Sequence, residues 1–108
     1  MGPTGAWSCS NESCHGPSTP GGASTNAPTI DANDAHAAYV ALTSFSLNSA
    51  PYINACSTDP NASSITCNFN GSCPPTMPQS DGPIVSSPPS EASLRDLNTW
   101  LKCGAPFN

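Results

Sequence analysis

Six cysteines, at positions 9, 14, 56, 67, 73 and 103, limit what this 108-residue chain can fold into more than any other feature of its sequence. The limit is strong because little else is available to hold a fold. Leu, Ile, Val and Phe together supply 14 residues, well below the share at which a core normally assembles from side-chain burial alone. Pro, Gly and Ser supply 38, a proportion usual in chains that stay disordered. Yet only 8% of the residues are charged and the net charge is −5, so the self-repulsion that accompanies disorder is weak. A short chain with a sparse core reaches stability through covalent staples, a metal or a large bound group. The cysteines are where such a staple would attach.

The length fits one domain, 1–108, with no room for a separate module beside a packed core. Disulfides persist in oxidising compartments, whereas the cytosol keeps thiols reduced. Six cysteines in an acidic, Asn- and Ser-rich chain therefore predict an exported protein, periplasmic or extracellular. No basic segment followed by an apolar stretch opens the chain, and no run approaches the roughly 20 apolar residues needed to span a bilayer. The expectation is a mature form from which a signal has been removed, with no membrane span. Arg95 and Lys102 are the two basic residues, too few to track a phosphate backbone or an anionic membrane, which excludes nucleic acid as a partner. The acidic balance favours a basic partner surface, with only a weak steering field.

Ala35 to Leu47 lacks Gly and Pro and sets Ala38, Leu42 and Phe45 on one helical face, with Tyr39 nearby. Asp34 can accept from the free N–H groups of a first turn, so a helix is predicted there. A second is predicted after Ser90 as N-cap, with Glu91 at the positive end, Leu94, Leu97 and Leu101 at i, i+3 and i+7, and Trp100 beside them. Its stop is formed by Lys102, Cys103, Gly104 and Pro106: a C-terminal cation, a left-handed cap and a following proline. Residues 16–29 and 48–89 show no periodicity and read as loop, the second broken by Pro51, Pro60, Pro74, Pro75, Pro78, Pro83, Pro88 and Pro89. A structureless stretch of that length calls for a covalent or functional reason.

Cys9-Ser10-Asn11-Glu12-Ser13-Cys14-His15 places a histidine directly after the second of two cysteines. C-x-x-C-H is the pattern that attaches haem c, with two thiols bonded to the porphyrin's vinyl groups and the histidine bound to iron. Here two additional residues must bulge out if both sulfurs are to reach the fixed vinyl positions. The plainer reading is that Cys9 and Cys14 enter disulfides and His15 is a surface residue. Met77 stands 62 residues after His15, between Thr76 and Pro78. A thioether is a soft, neutral ligand that favours ferrous iron, and Pro74, Pro75 and Pro78 limit the freedom lost when the sulfur docks. The competing reading is a methionine filling a gap in a loop. His36, in the first turn of the first predicted helix, is the alternative sixth ligand and would lower the potential. With neither bound, an open position would admit small ligands or peroxide. Trp7, two residues before Cys9, is a candidate to cover a haem edge.

Taken in order, Cys14-His15-Gly16-Pro17, the mid-chain helix, the Met77-Pro78 loop and a closing helix with Trp100-Leu101 shortly before Gly104-Ala105-Pro106 resemble the small bacterial single-haem class I c-type cytochromes, with a variant C-x4-C-H attachment spacing. The resemblance implies an all-α fold, a small cytochrome c-like helical domain wrapped around one haem with long irregular loops. It implies one covalent haem c on Cys9 and Cys14, with His15 and Met77 as iron ligands. It also implies a single-electron carrier, not an enzyme, that serves redox partner proteins. Cys56, Cys67, Cys73 and Cys103 then form an even set for two disulfides, in any of three pairings. Zinc is the alternative for these thiols, although no C-x-x-C pair is present. Two other readings stay open: a haem-free secreted binding or structural module stapled by three disulfides, and a self-associating subunit of a larger extracellular electron conduit or filament.

Overall fold

In a computed structural model of the chain, residues 9–24, 26–77 and 89–107 are described; Trp7, Pro78, Pro83 and Pro88, singled out above, lie outside them. The first helix, α1, spans Ala35–Ser44, and the Asp34 carboxylate accepts from Ala37 N–H at 2.8 Å as the N-cap. It stops before the expected Leu47. The Thr43 hydroxyl donates back to the Tyr39 carbonyl at 2.9 Å, a side-chain bond that competes with helix propagation, and Phe45 is already extended.

Two short strands follow, β1 (Ser46–Leu47) and β2 (Ala50–Pro51), antiparallel with Ser46 opposite Pro51 and Leu47 opposite Ala50. Asn48 and Ser49, at φ 53° and 65°, form a two-residue turn with both residues left-handed, the geometry whose twist matches that of paired strands. The all-α expectation is corrected by this hairpin: the fold is mixed, with three helices and a small two-stranded sheet among the described residues. Because Asn48 and Ser49 reverse the chain, the apolar residues that follow return to the core, and Tyr52 and Ile53 are buried directly after β2.

The expected irregular stretch contains further structure. Pro60–Ala62 make one 3-10 turn capped by Asp59, and Ile65–Asn70 form α2, which ends at Gly71. Ser64 N–H and Ile65 N–H donate to the Pro51 and Tyr52 carbonyls at 3.0 and 3.1 Å. The hairpin exit thereby takes up donors that a helix start leaves open.

The last helix, α3 (Glu91–Lys102), agrees with its pattern. Ser90 Oγ accepts from Ser93 N–H at 3.1 Å, and Glu91 and Lys102 flank the two ends of the helix dipole. Gly104 is left-handed at φ 83°. Gly104 N–H donates to Leu101 and Ala105 N–H to Trp100, at 2.9 and 3.0 Å, the paired bonds of a Schellman stop. Tyr39 on α1 donates its hydroxyl to the Ala105 carbonyl and Trp100 Nε1–H donates to Pro106, both at 2.9 Å. The C-terminal turn is thus held against two helices.

Of the described residues, Ile30, Leu42, Tyr52, Ile53, Ile65, Phe69, Leu101 and Ala105 are buried and apolar. Among the described residues no helix is long and apolar enough to cross a membrane. Leu101 is 1% exposed, so Leu101→Ala should lower the unfolding free energy by about 2–5 kcal/mol. Urea denaturation measures this, and an unchanged midpoint would contradict the central place of that side chain.

Candidate functional site

The segment from Cys9 to Gly16 is a compact loop built on Asn11. The Asn11 carbonyl accepts from Cys14 N–H and Gly16 N–H at 2.9 and 2.8 Å, its side-chain Oδ1 accepts from Ser13 N–H at 2.9 Å, and His15 N–H donates to the Cys9 carbonyl at 3.1 Å. The residues that lengthen the cysteine spacing are therefore taken up by a turn, with Cys9 and His15 brought back together across it. Gly16 is buried beneath Ser10, where a Cβ would stand 2.0 Å from the Ser10 carbonyl oxygen. Only a hydrogen fits at that approach.

His15 is held by the stretch that follows the loop. Its backbone carbonyl accepts from Ile30 N–H at 2.7 Å. Its Nδ1 lies 3.0 Å from the Pro28 carbonyl oxygen and 3.2 Å from that of Asn26. Both partners can only accept, so Nδ1 carries a proton, and in the neutral tautomer the lone pair is on Nε2. Asn26 also donates its side-chain amide to the Cys14 carbonyl at 3.0 Å. Residues 26–30 thus fix both the ring and the backbone of His15.

Ile30 continues from this clamp into the core and lines a cavity of about 610 Å³, walled by apolar side chains that include Leu42, Ile53, Ile65, Leu97 and Trp100. Its size lies within the range of small-molecule and cofactor sites, about 300–1,000 Å³. Met77 approaches the same core from α2. Met77 N–H donates to the Asn68 carbonyl at 3.0 Å. The Asn68 side-chain amide donates to the carbonyls of Cys73, at 3.3 Å, and Pro75. Its Oδ1 accepts from the Tyr52 hydroxyl at 2.9 Å. Asn68 is 3% exposed, so one buried side chain and its own carbonyl together hold residues 73, 75 and 77. A disulfide between Cys67 and Cys73, with Cα atoms 5.1 Å apart, closes the start of this segment.

Cys9 and Met77, 68 residues apart in sequence, both pack against the buried cluster. Burial pushes the Cys9 thiol pKa up, and charge on Cys14 adds to this. Burial likewise lifts the Tyr52 phenol far above its ordinary value, with Cys9 contributing as a neighbouring charge. The Ser10 hydroxyl, next to Cys9, is buried and has no hydrogen-bond partner among the described residues, a state that costs about 1–3 kcal/mol unless another group reaches it. His36 is not brought to this site by burial: it is exposed, with its ring edge-on to Phe107 at 5.2 Å.

Two thiols and an imidazole on one loop are the residue types that attach haem c. The loop brings Cys9 and His15 together with Cys14 and the His15 ring is oriented through Nδ1, while Cys9, Cys14, His15 and Met77 are not among the residues that line the cavity. Sequence reasoning picked out Cys9, Cys14, His15 and Met77 but not the residues that hold them, Asn11, Asn26, Pro28 and Asn68. Those contacts join segments up to 16 residues apart and have no signature in local spacing. No family model, curated protein or solved structure matches the chain.

Asn68→Ala would strand the Tyr52 hydroxyl and two carbonyls, with an expected loss of about 2–4 kcal/mol, read by denaturant unfolding; a loss under half that size would argue against the network. The raised Cys9 pKa has a definite sign. The folded chain retains a thiol proton that the unfolded chain gives up, so this contribution to stability is intact below the ordinary thiol pKa and is lost as pH rises through the folded value. In the haem-free chain, iodoacetamide near the ordinary thiol pKa of ~8.5 should modify Cys9 more slowly when folded than when unfolded. Equal rates would count against the burial.

Proposed function

We propose that the chain is an exported single-electron carrier that holds one haem c covalently through Cys9 and Cys14, with His15 and Met77 as iron ligands. The His15 ring carries this reading. Histidines that bind metal almost always donate their other ring N–H to a carbonyl or carboxylate, which sets the tautomer and the direction of the free nitrogen. His15 has that arrangement with the Pro28 carbonyl at 3.0 Å.

The remaining residues have complementary parts. Cys9 and Cys14 would each add a thiol across a vinyl double bond: the S–H bond breaks, an S–C bond forms, and the hydrogen ends on the neighbouring vinyl carbon. The Asn11 turn holds the two thiols and His15 in one loop for this. Bound haem supplies an iron that accepts and returns one electron. Asn68 and the Cys67–Cys73 disulfide restrain the segment that carries Met77, so the thioether is presented with little ordering left to do. An apolar surrounding favours the less charged ferrous state. No substrate is transformed in this reading, and the partners are other redox proteins or further copies within a larger electron conduit.

A pyridine haemochrome assay combined with intact mass should find one haem that survives acid-acetone extraction, lost in a Cys9→Ser/Cys14→Ser double variant. A colourless native protein would end the proposal in favour of a disulfide-stapled module. Met77→Ala should lower the reduction potential by on the order of 0.1 V, a fraction of the ~0.8 V that axial ligands span, while His36→Ala leaves it unchanged. The reverse pattern would transfer the sixth position to His36.

A further inference from the structure

Two cysteines remain outside the attachment loop and the Cys67–Cys73 disulfide. Cys56 and Cys103 are both thiols and both exposed. They are distant in sequence, but the backbones beside them meet: the Ala55 carbonyl oxygen lies 3.8 Å from the position a Cβ on Gly104 would take. Cys56 is one residue after this contact and Cys103 one residue before it, so the two cysteines flank the same approach on facing segments. Neither segment is loose. Cys56 N–H donates to Asn54 Oδ1 and Ser57 N–H to the Asn54 carbonyl, both at 3.2 Å. Cys103 N–H donates to the Thr99 and Trp100 carbonyls, both at 3.1 Å, at the start of the Schellman stop. α3 also packs on the 3-10 turn of residues 60–62, which shortly follows Cys56.

We infer that Cys56 and Cys103 are joined by a second disulfide in the exported protein. Two S–H bonds break and one S–S bond forms. The two protons and two electrons pass to the S–S bond of a protein or small-molecule disulfide, which breaks and leaves as two thiols. Both residues are exposed, so thiol–disulfide exchange can reach them without unfolding the chain. The bond differs in kind from Cys67–Cys73. That disulfide closes a local turn, whereas Cys56–Cys103 encloses α2, the Met77 segment and α3 in one long covalent loop, the kind that restricts the unfolded chain most. It also fixes the end of α3, and with it Trp100, Pro106 and Phe107, which line the cavity. The inference rests on the oxidising compartment but not on the haem.

The test is disulfide mapping of the native protein purified from an oxidising compartment, with iodoacetamide present and no reductant. The expected result is a peptide pair linked through Cys56 and Cys103 that separates on reduction, with neither residue alkylated. Alkylation of both, or linkage of either to Cys9, Cys14, Cys67 or Cys73, would overturn the assignment. Cys56→Ser and Cys103→Ser should each lower Tm by at least about 5 °C, with no further loss in the double variant. Additive losses, or none, would contradict a shared bond. Haem content is read separately by colour, so a colourless protein with the mapped pair would reject the proposed function and keep this disulfide.

Discussion

Ile53, Ile65 and Leu101 are the large apolar side chains that the structure buries almost completely, and the remaining elements are arranged around that narrow centre. A core of this size cannot position loops by packing alone, because each ordered residue costs about 1–2 kcal/mol of backbone entropy. Hydrogen bonds from buried or half-buried polar side chains take over much of that role. The Ser63 hydroxyl accepts from Asn54 N–H at 2.8 Å, Ser64 donates to the Pro51 carbonyl at 3.1 Å, and Asn68 is surrounded by partners. A buried polar network of this kind specifies one arrangement strongly when every member is satisfied. It is an effective substitute for hydrophobic bulk where that is scarce.

The candidate site follows the same logic. Cys9, Cys14 and His15 lie on a loop without regular secondary structure, and Met77 lies on another, yet each is tied to a segment that reaches the core. For His15 the tie is the 26–30 stretch, which ends in buried Ile30. For Met77 it is α2, through Asn68 and buried Ile65. Ile30 and Ile65 line one cavity, although His15 and Met77 themselves do not.

Parts of this arrangement were legible in the sequence and parts were not, for identifiable reasons. α3 was legible because its cap, leucine spacing and glycine stop are all local. The start of α1 was legible from Asp34, but its end was not, because Phe45 continues the helical apolar spacing while the backbone turns extended. The hairpin was hidden by Ser49, an unusual left-handed residue, and by Pro51, which ordinarily argues against a strand. α2 was hidden because Thr66, Asn68 and Asn70 are weak helix formers; the chain turns helical there because carbonyls at 51 and 52 receive its first N–H groups. The attachment motif was legible as a string of residues, whereas the orientation of the His15 ring depends on Pro28, thirteen residues away. The pairing of Cys67 with Cys73 was one of several the sequence allowed.

The position of Asn68 has a consequence for how the molecule opens. Its backbone N–H closes a turn of α2 by donating to the Ser64 carbonyl, its own carbonyl receives Met77, and its side chain bridges Tyr52 to the 73–75 stretch. These bonds cannot be broken one at a time without leaving buried groups unsatisfied, so α2 and the Met77 segment form one cooperative unit. Detachment of the methionine and fraying of the helix are then a single event, and the amide protons of Asn68, Cys73 and Met77 exchange with solvent through the same opening.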